Sequence, residues 1–191
     1  MMRSVLQLVA LGDLAICWVA WAASFIQPFR ESFTHRAIAR ARSCRWGIAL
    51  SFLGCATACV PMQPRAVEKS LVEFAASIVL GPLSVALAWS ATRHLGKNWH
   101  CQAVLNTDHE LVTTGPYACI RHPIYVSMLG MLLASAAACA WWPVLFVCLI
   151  FFLIGIEIRI HAEDRLLELY FQDEFLEYRS RVPGVIPLLH H

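Results

Sequence analysis

Two stretches of this chain hold residues that could do chemistry. The first, LVTTGPYACIRHPIY at 111–125, crowds a Gly-Pro turn, Tyr117, Arg121, His122 and Tyr125 between apolar segments. The second holds Glu157, Arg159, Glu163 and Asp164, where an apolar stretch turns polar. Arg159 and Glu163 are four apart and share a helix face. That face continues to Leu167 and Phe171, so both charges point to the buried side. Buried charges are costly unless paired or functional. An Arg and a Glu facing the first stretch could hold two charged ligand groups, the Arg an acid and the Glu an ammonium.

Pro123 suits the first turn of a helix, which places His122 near the cap. Free amides and the positive dipole end at such a terminus attract an anion such as a carboxylate or phosphate, with Arg121 and His122 as added donors. Each feature has a plainer reading. Arg121 would serve as a membrane anchor, Tyr117 and Tyr125 as interface aromatics, and Arg159–Glu163 as a helix-stabilising pair. His94, His100, Cys101, His109, Cys119 and His122 match no zinc spacing, with neither CxxC nor HExxH present, so no metal is expected.

The elements that must position these residues follow from composition. Of 191 residues, 59% are hydrophobic and 15% charged, against about 25% charged in soluble domains. An all-α, polytopic integral membrane protein is expected. The net charge of +2 is too small and too scattered for a nucleic-acid groove. Apolar segments at 5–26, 46–62, 72–92, 124–141 and 143–158 predict about five transmembrane helices, and no cleavage site follows the first. The last two are near the short end of the spanning range of about 17–25 residues. They meet at a WWP corner, which predicts a helical hairpin.

Five arginines (Arg30, Arg36, Arg40, Arg42, Arg45) lie between the first two segments. Arg93, Lys97 and Arg121 lie between the third and fourth, and Arg159, Arg165, Arg179 and Arg181 follow the fifth. The other side holds Arg3, Arg65 and Lys69. The imbalance places the N-terminus outside and both polar stretches in the cytoplasm. Cys17, Cys55, Cys59, Cys139 and Cys148 fall in apolar stretches and read as free thiols. Beyond 158, Leu167, Phe171, Phe175 and Tyr178 mark one face of an amphipathic helix ended by Pro183 and Pro187, either lying on the membrane or closing as a lid. The 93–125 connection is long enough to be functional. The chain thus divides into a three-helix region at 1–92 and a ligand-binding region at 93–191.

The motifs HLGKNWHCQAVLNTDHELVTTGPYACIRHPIY, Arg-x-x-x-Glu-acid and EYRSRVPGVIP follow in order over roughly residues 95–187. In them the chain resembles the isoprenylcysteine carboxyl methyltransferases and their prokaryotic relatives, integral-membrane enzymes that use S-adenosylmethionine (SAM). Phospholipid N-methyltransferases share part of the pattern. The resemblance implies a SAM pocket built from Gln102, His109, Glu110, Leu111, Val112, Tyr117, His122, Pro123, Ile124 and Tyr125. It also implies that Glu163 contacts the cofactor and that Arg159, as catalytic residue, contacts the substrate. Asp164 replaces the second Glu often seen in relatives, and Gln172 and Phe175 stand where Gly and Tyr are common. The implied acceptor is the carboxylate of a lipophilic, isoprenylcysteine-like molecule. A phospholipid amine, an NADPH-dependent sterol-type reduction and a SAM-binding sensor without turnover are the alternatives. The expected partners are a lipophilic or prenylated substrate and membrane lipids. The expected location is a prokaryotic plasma membrane, or the endoplasmic reticulum of a eukaryote, with oligomeric state left open.

Overall fold

The computed structural model describes residues 2–32, 37–40, 44–59, 69–100, 104–106 and 109–185. These form helices α1 (Met2–Ala23), α2 (Ile26–Ser32), α3 (Cys44–Cys59), α4 (Leu71–Leu95), α5 (Pro123–Cys139), α6 (Trp142–Phe171) and α7 (Asp173–Arg181). Two short strands, β1 (Ala37–Arg40) and β2 (Val104–Asn106), pair antiparallel, an exception to the all-α expectation. The ribbon ties the α1–α3 connection to the α4–α5 connection, so these two basic stretches share one side of the bundle, in line with the distribution of arginines.

Each of the five apolar segments is helical over most of its described residues, and 60–62 of the second lie outside them. Among the described residues, three helical stretches are long and apolar enough to cross a membrane: Val5–Arg30, Leu71–Asn98 and Trp142–Phe171. The protein is therefore an integral membrane protein. Helices α3 and α5, of 16 and 17 residues, are shorter and pack against the long ones.

The fifth segment runs on into the C-terminal helix, so that α6 is unbroken for 30 residues, about 45 Å at 1.5 Å per residue. This exceeds a hydrocarbon core of about 30 Å, so the last third of α6 extends beyond it. Nothing between 158 and 171 is Gly or Pro, and the charges there mark the exit from lipid rather than a helix end. The C-terminal helix does not reach Pro183 in one piece as expected. The break comes at Gln172, which has φ 48°. The apolar face survives it: Phe175, Tyr178 and Val182 pack with Leu111, Leu167 and Phe171.

Helix α3 lies along α6, and α4 lies along both α5 and α1. At the α3–α6 seam the backbones touch. A Cβ on Gly47 would stand 2.6 Å from the Gly155 carbonyl and 2.7 Å from Arg159 Cγ. Small residues permit this close packing, which drives helix association in lipid, and here it fixes the base of Arg159. On the other side, Trp18 Nε1 donates to Ser135 Oγ (3.0 Å) and Trp21 Nε1 to Ser127 Oγ (3.2 Å), pinning α1 to α5. A ring series from Trp21 through Phe25 to Trp99, with centroids 4.6 and 5.5 Å apart, anchors the segment after α4. Buried Lys69 donates to the carbonyls of Ala136 and Ala140 and pairs with Glu73 at 2.9 Å. It thereby closes the negative end of α5. Cys17, Cys55, Cys139 and Cys148 are buried thiols, whereas the side chain of Cys59 lies outside the described residues.

Candidate functional site

The polar run folds as a 3-10 turn at Gly115–Ala118, then a short link into α5. Gly115 has φ 59°, and a Cβ there would stand 2.4 Å from the His94 ring. Only glycine therefore lets this loop lie on the end of α4. The trailing part of the chain straps the loop in place. Tyr178 OH donates to the Tyr117 carbonyl (2.7 Å), the Arg121 amide to the Pro183 carbonyl (2.9 Å) and the His122 amide to the Gly184 carbonyl (3.0 Å). Burial pushes the Tyr117 phenol upward and lifts that of Tyr178 to about 12, so both stay neutral.

Five charged side chains from the loop and α6 meet at the start of α5. Asp164 accepts from Arg121 Nη1 (2.8 Å) and from His122 Nε2 (2.9 Å). His122 Nδ1 lies 3.5 Å from Glu163 Oε2, and Tyr125 OH donates to the other oxygen of Glu163. Arg159 Nη2 lies 4.0 Å from that same oxygen. Its Nε donates to Tyr125 OH at 3.0 Å, and its guanidinium stands 4.8 Å from the Tyr125 ring centroid. The His122 and Tyr125 rings stack with centroids 5.4 Å apart. Burial alone would drive His122 toward neutrality. Its hydrogen bonds to Asp164 and Glu163 outweigh burial and raise it to about 9, so it is an imidazolium at neutral pH.

This arrangement corrects three readings. The amides at the head of α5 are largely spoken for: those of Arg121 and His122 donate to Pro183 and Gly184, Pro123 has none, and those of Tyr125 and Val126 donate to the His122 carbonyl. The anions at this terminus are the chain's own Asp164 and Glu163. Arg121 is not a lipid-facing anchor, since it is 8% exposed and ion-paired. Tyr117 and Tyr125 are buried rather than interfacial.

A recess opens beside the cluster. Among the expected residues, His109, Glu110, Leu111, Val112, Tyr117, His122, Ile124, Tyr125, Arg159 and Glu163 line it. Pro123 is buried in the first turn of α5 behind the wall, and Gln102 lies outside the described residues. Asp164, Phe175 and Tyr178, which were not assigned to it, line it as well, and so does Arg121, expected as an added donor. One signal pointed to Asp164: adjacent acids on a helix lie about 100° apart, so with Glu163 facing inward Asp164 had to face a different neighbour. His109 is lowered to about 4, chiefly by burial and then by His100, and is neutral. Exposed Glu110 is ion-paired to Lys97 at 2.8 Å, which holds its carboxyl below the usual range. Among the described residues, the buried atoms His109 Nδ1 and Arg121 Nε have no hydrogen-bond partner.

Residues 77–169 match the model of the isoprenylcysteine carboxyl methyltransferase (ICMT) family, the family whose motifs the sequence resembles. The chain is 38% identical over 93 residues to the protein-S-isoprenylcysteine O-methyltransferase of Schizosaccharomyces pombe, covering 44% of this chain and 36% of the relative. It is 35% identical over 114 residues to the cobalt-zinc-cadmium resistance protein CzcN of Cupriavidus metallidurans, covering 59% and 50%. It is 32% identical over 117 residues to the nickel-cobalt-cadmium resistance protein NccN of Alcaligenes xylosoxydans xylosoxydans, covering 60% and 52%. The matches thus span about half or less of the length of these relatives.

Proposed function

From the premise that residues 77–169 carry the ICMT family pattern, we propose that this chain transfers a methyl group from SAM to the carboxylate of a lipophilic acceptor, at the cytoplasmic face of its membrane. The observation that carries the reading is the hydrogen-bonded Tyr125–Arg159–Glu163 group on the wall of the recess. Bound SAM supplies an electrophilic methyl group on a positively charged sulfur. The recess suits such a molecule. His109 Nδ1 and Arg121 Nε are buried there without partners among the described residues, Leu111 and Val112 offer an apolar wall, and Glu163 is still 24% exposed. Glu163 would hold the ammonium, Leu111 and Val112 the adenine, and Arg121 is a donor for the carboxylate.

The charges favour an acid as acceptor. Arg121, His122 and Arg159 are three cations against the two carboxylates of Glu163 and Asp164, so the cluster carries one surplus positive charge. Arg159 would orient the carboxylate through its planar guanidinium, a task Lys performs poorly. A carboxylate with an ordinary pKa near ~4 is already ionised, so the chain needs no general base and contributes position and exclusion of water.

The test is methyl transfer from tritiated SAM by the purified protein in nanodiscs, with a farnesylated cysteine derivative and a host lipid extract as acceptors. Label entering an organic-soluble product that base releases as methanol marks a methyl ester and supports the reading. Base-stable label would move the acceptor to an amine. No transfer, together with thermal stabilisation by NADPH but not SAM, would replace the reading with a reductase.

A further inference from the structure

Asp164 does more than neutralise one neighbour. Its two oxygens hold different residues, Arg121 at 2.8 Å and His122 at 2.9 Å, and both partners precede α5. The opposite nitrogen of His122 faces Glu163 at 3.5 Å. The imidazole therefore spans two acids that are adjacent on α6 yet point to different places. Arg121 is ion-paired to Asp164 with its guanidinium 6.0 Å from the buried Phe175 ring centroid, and the His122 ring stacks on buried Tyr125, so both arms of the clamp rest on well-packed residues.

We propose that Asp164 is a positioning residue: it holds His122 against Glu163 and so fixes where the Glu163 carboxylate stands in the recess. This rests on the methyltransferase reading and extends it to a residue that touches neither cofactor nor acceptor in that scheme. Without Asp164, His122 would lose the partner that orients its ring, and Glu163 would keep only Tyr125 and Arg159 to place it. The acids on His122 are Asp164 and Glu163 from α6, and its ring stacks on Tyr125 from α5; the groups acting on those acids are Arg159 from α6, Tyr178 and Arg179 from α7, and Tyr117 and Arg121 from the loop. Of these, Asp164 makes the shorter contact to His122.

The test joins a titration with a double-mutant cycle. In cofactor-free protein labelled at histidine nitrogen, the His122 ring in Asp164→Asn should titrate at least about one pH unit lower than in the parent. Calorimetric affinity for SAM should fall by about 10-fold or more, the range expected for losing a charged hydrogen bond. In a Glu163→Gln background the same Asp164→Asn change should cost SAM affinity almost nothing, because the group being positioned is already gone. If Asp164→Asn does not fold, the cycle is run with Asp164→Ser, whose single hydroxyl cannot hold Arg121 and His122 at once. Losses that add in either cycle, or an unmoved His122 titration, overturn the proposal. A parent that binds no SAM but shows the titration shift would instead sink the methyltransferase reading.

Discussion

Arg159 meets Tyr125 twice, donating from Nε to the phenolic oxygen at 3.0 Å and stacking its guanidinium 4.8 Å from the ring centroid. The same phenol donates to Glu163, so one hydroxyl sets the positions of a cation and an anion at once. Tyr125→Phe keeps the ring under the guanidinium and removes the hydroxyl. A hydrogen bond to a charged group contributes about 1.5–3 kcal/mol, so kcat/KM for the acceptor should fall about 10- to 100-fold with the fold intact. Unchanged steady-state rates would show that Arg159 needs no help from this hydroxyl.

Arg159 and Glu163 should separate cleanly in binding experiments. Glu163→Ala is expected to lower SAM affinity at least about 100-fold, since it removes the carboxylate that would hold the ammonium. Arg159→Ala is expected to leave that affinity within about 3-fold while methyl transfer collapses. Calorimetry beside single-turnover transfer measures both, and loss of SAM binding in both variants would assign Arg159 to the cofactor or the fold.

Stability should depend on pH through His122. Its folded-state value is raised to about 9 from 6.5. The unfolded chain therefore releases this proton first as pH rises. The stabilisation is complete below about pH 6.5 and disappears as pH climbs through about 9. His109, lowered to about 4, works the other way: burial of the neutral ring makes stability fall as pH drops from about 6.5 toward 4. Unfolding midpoints across pH 4–10 should flatten on the alkaline side in His122→Gln and on the acid side in His109→Gln. An unaltered alkaline limb in His122→Gln would contradict the assigned imidazolium.

Gln172 joins α6 to α7 at φ 48°, ψ −119°, a conformation that costs a side-chain-bearing residue about 1–3 kcal/mol. Glycine takes it freely but loses about 0.5–1 kcal/mol of chain entropy. Gln172→Gly should therefore raise the unfolding midpoint, by the equivalent of about 1 kcal/mol, and Gln172→Ala should not. A midpoint lowered by glycine would mean the glutamine side chain holds the joint.

Much of this was visible in the residues themselves. The apolar runs announced the long helices, Pro123 announced the first turn of α5, and the four-residue spacing of Arg159 and Glu163 placed both charges inward. The grouping of His109 to Val112 with Tyr117 and Tyr125 followed the family motifs. What stayed hidden depends on contacts distant in sequence. Arg121 meets Asp164 across 43 residues, and no local pattern says that a positive-side arginine turns inward. The break at Gln172 was masked because the apolar face of Leu167, Phe171, Phe175 and Tyr178 keeps its spacing across it, and no Gly or Pro marks the joint. The β1–β2 ribbon involves a four-residue and a three-residue strand, too short for alternation to show. The anion expected at the head of α5 was right in kind but came from the chain itself.

The touching backbones of Gly47 and Gly155 also govern traffic within the bilayer. With a carbonyl 2.6 Å from where any Cβ would stand, α3 and α6 leave no slot at that depth through which an acyl or prenyl tail could pass. On this side of the protein the seam is a closed wall beneath Arg159, so the packing that anchors the arginine also screens it from lipid there.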